Sequence, residues 1–249
     1  YWNNTIPLRD YNRNSGNTSD IGSPSLGAVT RSDGQVVPSL TVNWTSEDPS
    51  TTNNTGSADQ KLMNGFLRAS DSQAASLTIS NIPFSNYHVF AYVGGGYDGQ
   101  EVSVTLNNEP ATNRVCYTYT APPRGEWVEI KPATPAVPIP FANVARYASR
   151  TDNSLTIHTR IRNGYWAGLH AIQIIDATLD ADGSGIPDWY EMQYAMQPAS
   201  PATANADPDG DSLTNLQEFQ RGSNPRNSDT DGDSLTDSSE SAANALSLI

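Results

Sequence analysis

Acidic side chains recur at a fixed spacing in the last third of the chain. Three windows of twelve residues, beginning at Asp180, Asp207 and Asp229, carry oxygen-bearing side chains at positions 1, 3, 5, 9 and 12 and a branched apolar residue at position 7. This is the ligand spacing of a twelve-residue calcium loop, in which position 7 offers its backbone carbonyl and the last glutamate can bind through both oxygens. The predicted metal ligands of loops one, two and three are Asp180, Asp182, Ser184, Ile186, Asp188 and Glu191; Asp207, Asp209, Asp211, Leu213, Asn215 and Glu218; and Asp229, Asp231, Asp233, Leu235, Asp237 and Glu240.

Calcium chemistry accounts for each residue type in this pattern. The ion prefers six to eight hard oxygen ligands at about 2.3–2.6 Å, and short acidic side chains at alternate positions supply them. Glycine at position 4 (Gly183, Gly210 and Gly232) permits a left-handed backbone bend. The apolar residue at position 7 is expected to point inward and tie each loop to a small core. We therefore predict about three bound calcium ions.

The distribution of charge agrees with this interpretation. The chain has a net charge of −13, and all thirteen acids of residues 177–249 stand at ligand positions, beside only two bases, Arg221 and Arg226. The alternative, a solvating acidic linker, would leave acids between the loops. A segment this negative repels phosphate backbones, so nucleic acid is not an expected partner. The segment is also too poor in apolar residues to fold by burial alone, so removing calcium should loosen it.

The three loops differ from paired EF-hands in two ways, and these differences indicate which type of calcium repeat they resemble. Glycine at position 6 occurs only in loop one, as Gly185, whereas loops two and three have Ser212 and Ser234. No full helix precedes each loop. Residues 179–240 therefore resemble the thrombospondin type 3 and dockerin-like calcium repeats, in the version common in large secreted bacterial proteins. The resemblance implies a structural calcium site at the cell exterior, either secreted or on the cell surface, rather than a calcium sensor.

The residues before these loops alternate as β-strands do. Gly, Pro and Asn breaks separate eight such runs, at residues 39–44, 75–79, 87–93, 101–106, 114–120, 126–130, 154–158 and 171–175. This pattern predicts a mostly β chain: an antiparallel jelly-roll β-sandwich over residues 1–176, then a calcium-loop segment over 177–249 with short helices at 188–196 and 213–221. Residues 57–68 are expected to form a short helix or turn.

Four segments of the sandwich carry a second resemblance. Trp2-Asn3-Asn4 and residues 61–67, 86–92 and 167–174 resemble the galactose-binding-like jelly-roll modules of secreted bacterial proteins. The resemblance implies this fold and a capacity for carbohydrate. In such modules a strand precedes the Trp-Asn-Asn segment, so we expect that strand to be missing here or to be supplied by another chain.

Sugar binding requires exposed aromatic rings with polar groups beside them. The candidate carbohydrate-binding residues are Trp2, Tyr97, Asp98, Tyr165 and Trp166. Further candidates are Trp44, Trp127, Asn3, Asn4 and Asn163. Packing in the core is the alternative role for each aromatic residue. The loop at residues 94–99 favours exposure, because its glycines present a tyrosine and an aspartate together.

Catalysis and membrane insertion find no support in the sequence. The three histidines, His88, His158 and His170, lie in separate strand-like runs, and no nucleophile elbow, P-loop, zinc-protease or dinucleotide motif is present. No apolar run approaches the roughly 20 residues of a membrane helix. The one cysteine, Cys116, is expected to be buried in a strand. We therefore predict a protein that is not an enzyme.

Two kinds of function remain open at this point. The first is polysaccharide binding or cell adhesion by a sandwich attached to a calcium-stiffened linker, as part of a longer secreted chain. The second is a structural subunit of an extracellular fibre or surface layer, assembled with neighbouring subunits by strand exchange. In the second case the apolar residues 245–249 are a candidate donor strand.

Overall fold

The computed structural model describes residues 29–30, 36–37, 39–46, 48–51, 65–69, 73–95, 97–110, 113–118, 128–130, 141–165 and 167–240. The chain divides into two compact units, Tyr1–Ile174 and Ile175–Ile249. Several predictions fall outside the described residues: the missing first strand, the donor role of residues 245–249, and the candidates Trp2, Asn3, Asn4, Trp127 and Trp166.

Twelve strands are present among the described residues, most of them in the first unit. They are β1 Val29–Thr30, β2 Val36–Val37, β3 Thr41–Thr45, β4 Asp48–Thr51, β5 Gly65–Ala69, β6 Ala75–Ser80, β7 Tyr87–Gly95, β8 Glu101–Leu106, β9 Arg114–Tyr117, β10 Val144–Arg150, β11 Ser154–Asn163 and β12 Ala167–Asp176. Two five-stranded sheets have the orders β10-β7-β12-β5-β4 and β3-β6-β11-β8-β9, and β1 pairs with β2.

The two larger sheets form an antiparallel β-sandwich, as predicted. From β3 to β12, successive strands pass from one sheet to the other except for the antiparallel pairs β4–β5 and β8–β9. Side chains alternate between core and surface along β6 and β8. The inward residues of both sheets make one core, which includes Val89, Leu106, Leu155 and Ile157. Burial of these apolar side chains between the sheets is what holds the sandwich together.

Three local expectations had different outcomes. Cys116 is fully buried in β9, as predicted. The predicted helix or turn at 57–68 is wrong for its described end, because Gly65–Ala69 is strand β5, paired with β4 and β12. The prediction missed β1, β2, β4 and β10 among the described strands, and the alternation of β10 is broken by a bulge between Tyr147 and Arg150.

The second unit contains little regular structure. Helix α1 spans Asp188–Gln193, a 3₁₀ helix spans Pro201–Asn205, and helix α2 spans Asn215–Arg221. Helix α2 begins with a capping box between Thr214 and Gln217 and ends at the left-handed Gly222. No helix in the described part of the chain has the length and apolar character needed to cross a membrane.

A small core joins the helices of this unit. Ile186, Tyr190 and Ala204 are buried, and they pack against partly buried apolar residues that include Trp189 and Phe219. The hydroxyl of Tyr190 donates a hydrogen bond to the carbonyl of Ser223 at 2.9 Å. A core this small cannot offset the chain entropy of some seventy residues, so the acidic loops must contribute to the stability of the unit.

Candidate functional sites

The aspartate at position 1 of each acidic loop accepts two backbone hydrogen bonds from its own loop. Asp207 accepts from Gly210 and Ser212 at 2.8 and 3.1 Å. Asp229 accepts from Gly232 and Ser234 at 2.8 and 2.9 Å, in the same arrangement. In loop one, Asp180 accepts from Ser184 and Gly185 at 3.1 and 2.9 Å. All three loops therefore fold around their first carboxylate, which binds positions 4 and 6 in loops two and three and positions 5 and 6 in loop one.

The aspartate at position 3 uses only one of its oxygens in this network. Oδ1 of Asp182 and of Asp209 accepts from the backbone N–H two residues later, at 2.9 and 3.3 Å. Oδ2 of both residues is buried and has no hydrogen-bond partner. Each loop of this pair therefore holds a carboxylate oxygen that lacks a partner within the described residues.

Positions 4 and 6 both adopt the left-handed backbone conformation. Gly210 and Gly232 have φ values of 79° and 78°, and Ser212 and Ser234 have values of 83° and 79°. Loop one has Gly183 and Gly185 at the same two positions, with φ values of 71° and 85°. The serines therefore keep the bend that glycine makes in loop one, and their presence does not change the shape of the loop.

The glutamate at position 12 closes each loop from the first turn that follows it. Glu191 and Glu218 are fully buried, and Glu240 is 9% exposed. Both carboxylate oxygens of Glu218 lack a hydrogen-bond partner, as does one oxygen each of Glu191 and Glu240. Burial, followed by the charges of Asp209 and Asp211, raises the pKa of Glu218 to about 8. Burial and neighbouring aspartates likewise raise the pKa of Glu191 and of Glu240.

The distances within two of the loops suit a calcium ion. Ligand atoms of Asp207, Asp209 and Asp211 all lie within 4.8 Å of one another, and those of Asp229, Asp231 and Asp233 do likewise. Oxygens bound to one calcium ion at about 2.3–2.6 Å can be separated by at most about 5 Å. The donor set is made of carboxylate oxygens, which favour calcium over softer metals.

Position 9 differs between the loops. Asp188 accepts from the backbone N–H of Ala181 at 2.8 Å, and Asp237 accepts from the N–H and hydroxyl of Thr230 at 2.9 and 2.7 Å. The N–H donors Ala181 and Thr230 stand at position 2 of their loops. In loop two that position is Pro208, and proline has no backbone N–H. There, Asn215 donates to the carbonyl of Thr203 at 2.7 Å, and its buried side-chain oxygen has no partner. Position 9 therefore braces loops one and three, whereas in loop two it leaves a buried oxygen without a hydrogen-bond partner.

The apolar residue at position 7 anchors two of the loops. Ile186 is fully buried and Leu213 is 4% exposed. Leu235 is 54% exposed, so the expectation that position 7 points inward is wrong for loop three. The sequence could not reveal this difference, since the same residue type occupies the position in loops two and three.

A second candidate site lies at one end of the sandwich. Tyr97 and Tyr165 are 66% and 78% exposed, on the loops that precede β8 and follow β11. We refer to this pair as the loop tyrosines. The buried Gln100 joins the two loops, because its amide nitrogen donates to the carbonyl of Tyr97 at 3.4 Å and its oxygen accepts from the N–H of Tyr165 at 2.8 Å. A side chain at Gly164 would clash with Gln100, so the close approach requires glycine there.

Other residues near the loop tyrosines extend the site. Asp98 and Asn163 are exposed beside them, and a shallow depression of about 220 Å³ is lined in part by Arg162, Asn163 and Tyr165. Phe141, which no sequence pattern singled out, is 44% exposed and packs against Tyr117 with tilted rings whose centroids are 5.4 Å apart. Sequence reasoning also missed Gln100, because no sequence motif marks a bridging amide. Trp44, another candidate, packs against the core of the sandwich.

Comparison with known proteins does not identify a family for this chain. No protein-family model matches the sequence, and no curated protein matches it. Among solved structures, the chain is similar to a carbohydrate-binding module, TmCBM61, whose structure was determined in complex with beta-1,4-galactotriose. The match has 12% sequence identity and a TM-score of 0.26, and it covers 55% of this chain and 81% of that chain. A likeness this weak carries no argument, so the two resemblances drawn from the sequence stay predictions.

Proposed function

We propose that this protein is a non-enzymatic, secreted calcium-binding module, in which a polysaccharide-binding β-sandwich precedes a segment that folds around calcium ions. The observation that carries the calcium proposal is Glu218, a fully buried carboxylate without a hydrogen-bond partner, among the aspartates of its own loop. A buried unpaired charge next to like charges is strongly unfavourable. A divalent cation bound between these carboxylates removes that penalty, because each becomes a ligand.

The expected affinity fits a location outside the cell. Extracellular modules with loops of this kind bind calcium with dissociation constants of ~10⁻⁴–10⁻³ M. At a calcium concentration ten times the dissociation constant, one site stabilises the folded state by about 1.4 kcal/mol. Three sites on one small core would then contribute roughly 4 kcal/mol, enough to decide whether residues 177–249 are folded.

Limited trypsin digestion tests this proposal directly. Arg221 and Arg226 are the only trypsin sites in residues 177–249. In the folded segment the guanidinium of Arg221 donates to the carbonyl of Asp237 at 3.2 Å, and that of Arg226 to the carbonyl of Tyr194 at 3.1 Å. We expect slow cleavage at both sites in millimolar calcium and at least tenfold faster cleavage in EDTA. Cleavage within the sandwich serves as the internal reference and should not change.

A pair of variants on helix α2 separates calcium binding from helix stability. Glu218→Gln removes one ligand charge, and we expect cleavage at Arg221 in calcium to approach the rate of the wild type in EDTA. Gln220→Ala alters an exposed position on the same helix and should leave protection intact. If the wild type is cleaved equally fast with and without calcium, the calcium proposal is wrong.

The polysaccharide part of the proposal is supported by the loop tyrosines. Exposed aromatic rings can stack on the apolar faces of sugar rings, and nearby Asp98 and Asn163 can bind hydroxyl groups. Gln100 holds both loops by hydrogen bonds from a buried position, so the rings are presented on backbone that is ordered before ligand binds. Such preorganisation lowers the entropy cost of binding.

Binding to a panel of polysaccharides, measured by affinity electrophoresis, tests the carbohydrate site. Tyr97→Ala and Tyr165→Ala should each weaken binding about tenfold without lowering the melting temperature, since both side chains are on the surface. Gln100→Ala should weaken binding with both tyrosines still present. Met192→Ala, an exposed apolar position in the second unit, is the control. Absence of binding to every polysaccharide, or binding that neither tyrosine affects, would overturn this part of the proposal.

A further inference from the structure

Two basic side chains lie side by side on the outer face of strand β11. Arg160 and His158 are two residues apart, so they share the face that points away from the core, and Arg160 is exposed. In the register of β11 with β8, His158 lies opposite Thr105 and Arg160 opposite Ser103. Both cross-strand neighbours are small hydroxyl residues, which leave room above the sheet around the two basic groups.

These residues line a groove in the sheet surface. Its volume is about 210 Å³, and Ala74, Ser103, Thr105 and Asn108 form its walls together with the two basic side chains. The space corresponds to several water molecules, at about 30 Å³ each. The lining on the side that precedes β6 is the small side chain of Ala74. The groove can therefore admit a functional group of a ligand.

The positive charge of Arg160 is not neutralised by the described part of the protein. Neither the guanidinium of Arg160 nor the ring of His158 makes a hydrogen bond or ion pair there. By contrast, Arg162, the next arginine on the same strand, pairs with Glu101 at 3.3 Å. The hydroxyl groups farther along this face pair with one another instead, as in Thr78 with Thr156 at 2.9 Å.

We infer that this groove binds the carboxylate or sulfate group of an acidic polysaccharide, with Arg160 as the ligand of the oxyanion and His158 as a hydrogen-bond donor. A guanidinium matches a carboxylate or sulfate with two parallel hydrogen bonds, and the neutral imidazole supplies one N–H. The Ser103 and Thr105 hydroxyls can bind neighbouring sugar hydroxyls. This inference rests on the proposal that the sandwich binds polysaccharide and narrows the ligand to one that carries negative charge.

The test compares three galactose-based oligosaccharides of equal length: neutral β-1,4-galactan, oligogalacturonate and sulfated galactan. Short oligosaccharides are used because long polyuronates themselves bind calcium. Binding to the full chain in millimolar calcium is measured by calorimetry. We expect at least one acidic oligosaccharide to bind five- to tenfold more tightly than the neutral one, and the two acidic ligands distinguish carboxylate from sulfate. Arg160→Gln should abolish this preference, and Arg150→Gln, which changes an arginine of β10 that pairs with Glu109 and Asp152, should keep it.

The possible outcomes separate this inference from the function on which it rests. If neutral galactan binds through the loop tyrosines and the acidic ligands bind no better, the inference is wrong and the proposed function stands. If acidic ligands bind in an Arg160-dependent way that Tyr97→Ala does not change, the groove is confirmed and the loop site is not. If none of the three oligosaccharides binds, the inference is wrong, whereas the proposed function falls only if the wider polysaccharide panel also shows no binding. Equally tight binding of single-stranded DNA would show a non-selective polyanion surface and would also overturn the inference.

Discussion

The backbone N–H of Ser238 donates a hydrogen bond of 3.0 Å to Oδ2 of Asp211, which joins the end of loop three to loop two. The other carboxylate oxygen of Asp211 accepts from the N–H of Leu213 at 2.7 Å. Close by, Arg221 at the end of helix α2 donates to the carbonyl of Asp237 at 3.2 Å. A proposed ligand of loop two thus also positions the residues that brace loop three.

Because of these shared contacts, calcium in loop two should favour calcium in loop three. We expect Asp209→Asn, which removes a ligand charge from loop two alone, to lower the affinity of loop three two- to tenfold, since the linking hydrogen bonds contribute about 0.5–1.5 kcal/mol. Coupling between binding sites is reciprocal, so Asp231→Asn should weaken loop two by the same factor. Calorimetric titration of the calcium-free chain measures both effects. Unchanged affinity of the intact loop in both variants would contradict the coupling.

The left-handed serines of loops two and three give a second prediction. Ser212 and Ser234 hold φ values near 80°, which cost a residue with a side chain on the order of 1 kcal/mol. Replacing either serine by glycine relieves this strain but increases the entropy of the unfolded chain, by about 0.4–1 kcal/mol. We therefore expect Ser212→Gly and Ser234→Gly to change stability by less than about 0.5 kcal/mol.

The control for these variants is Ala199→Gly. Ala199 is also exposed, but its φ is negative and its side chain makes no hydrogen bond, so glycine there brings only the entropy cost. It should lower the free energy of unfolding of the second unit by about 0.4–1 kcal/mol. Urea denaturation in saturating calcium compares the three variants. Equal losses in all three would show that the left-handed serines are not strained.

The loops were predictable from sequence because their chemistry is local. Each loop takes its ligands from one window of twelve residues, so alternating acids and one glycine specify its fold without knowledge of the rest of the chain. The same locality explains why the helices after loops one and two were predicted to within a few residues at Asp188–Gln193 and Asn215–Arg221.

The features that depend on distant residues were not predictable. Gln100 joins two loops that meet only because β8 and β11 pair, and Leu235 is exposed although the matching Leu213 is buried. Strand β10 was missed because the bulge at Ser149, which has a φ of 51°, breaks the alternation of Val144–Arg150. In each case the decisive contact lies outside the local sequence window, where periodicity holds no information.

A third prediction concerns the stability of the sandwich in acid. His88 is buried in β7, and its Nδ1 accepts a hydrogen bond of 3.0 Å from the N–H of Ser149, so the ring must be neutral. Burial, followed by the charge of Arg146, lowers the pKa of His88 to about 4. Between this value and the unfolded pKa of about 6.5, the unfolded chain binds a proton that the folded chain does not. Stability should therefore fall as the pH falls from about 6.5 to 4, by up to about 3 kcal/mol.

A variant isolates the contribution of His88 from that of the carboxylates. His88→Asn keeps an acceptor near Ser149 but does not titrate in this range, so it should lack this part of the acid destabilisation while being less stable than the wild type at pH 7. Denaturant unfolding at pH 7, 5.5 and 4, monitored by hydrogen exchange of the β7 amides, measures the difference in unfolding free energy between the wild type and His88→Asn. A constant gap in stability between the two proteins across this range would exclude His88 as the cause.

The last prediction follows from the unequal burial of position 7 in the three loops. Ile186 is fully buried and Leu213 is 4% exposed, whereas Leu235 is 54% exposed. Truncation of a buried aliphatic residue typically costs 2–5 kcal/mol, so Ile186→Ala and Leu213→Ala should lower the free energy of unfolding of the calcium-loaded segment by amounts in that range. Leu235→Ala should cost less than about 0.5 kcal/mol, because most of its side chain is already in water. Denaturation in saturating calcium, monitored by hydrogen exchange of the amides in helices α1 and α2, compares the three variants. An equal loss in Leu235→Ala would mean that loop three is anchored as the others are.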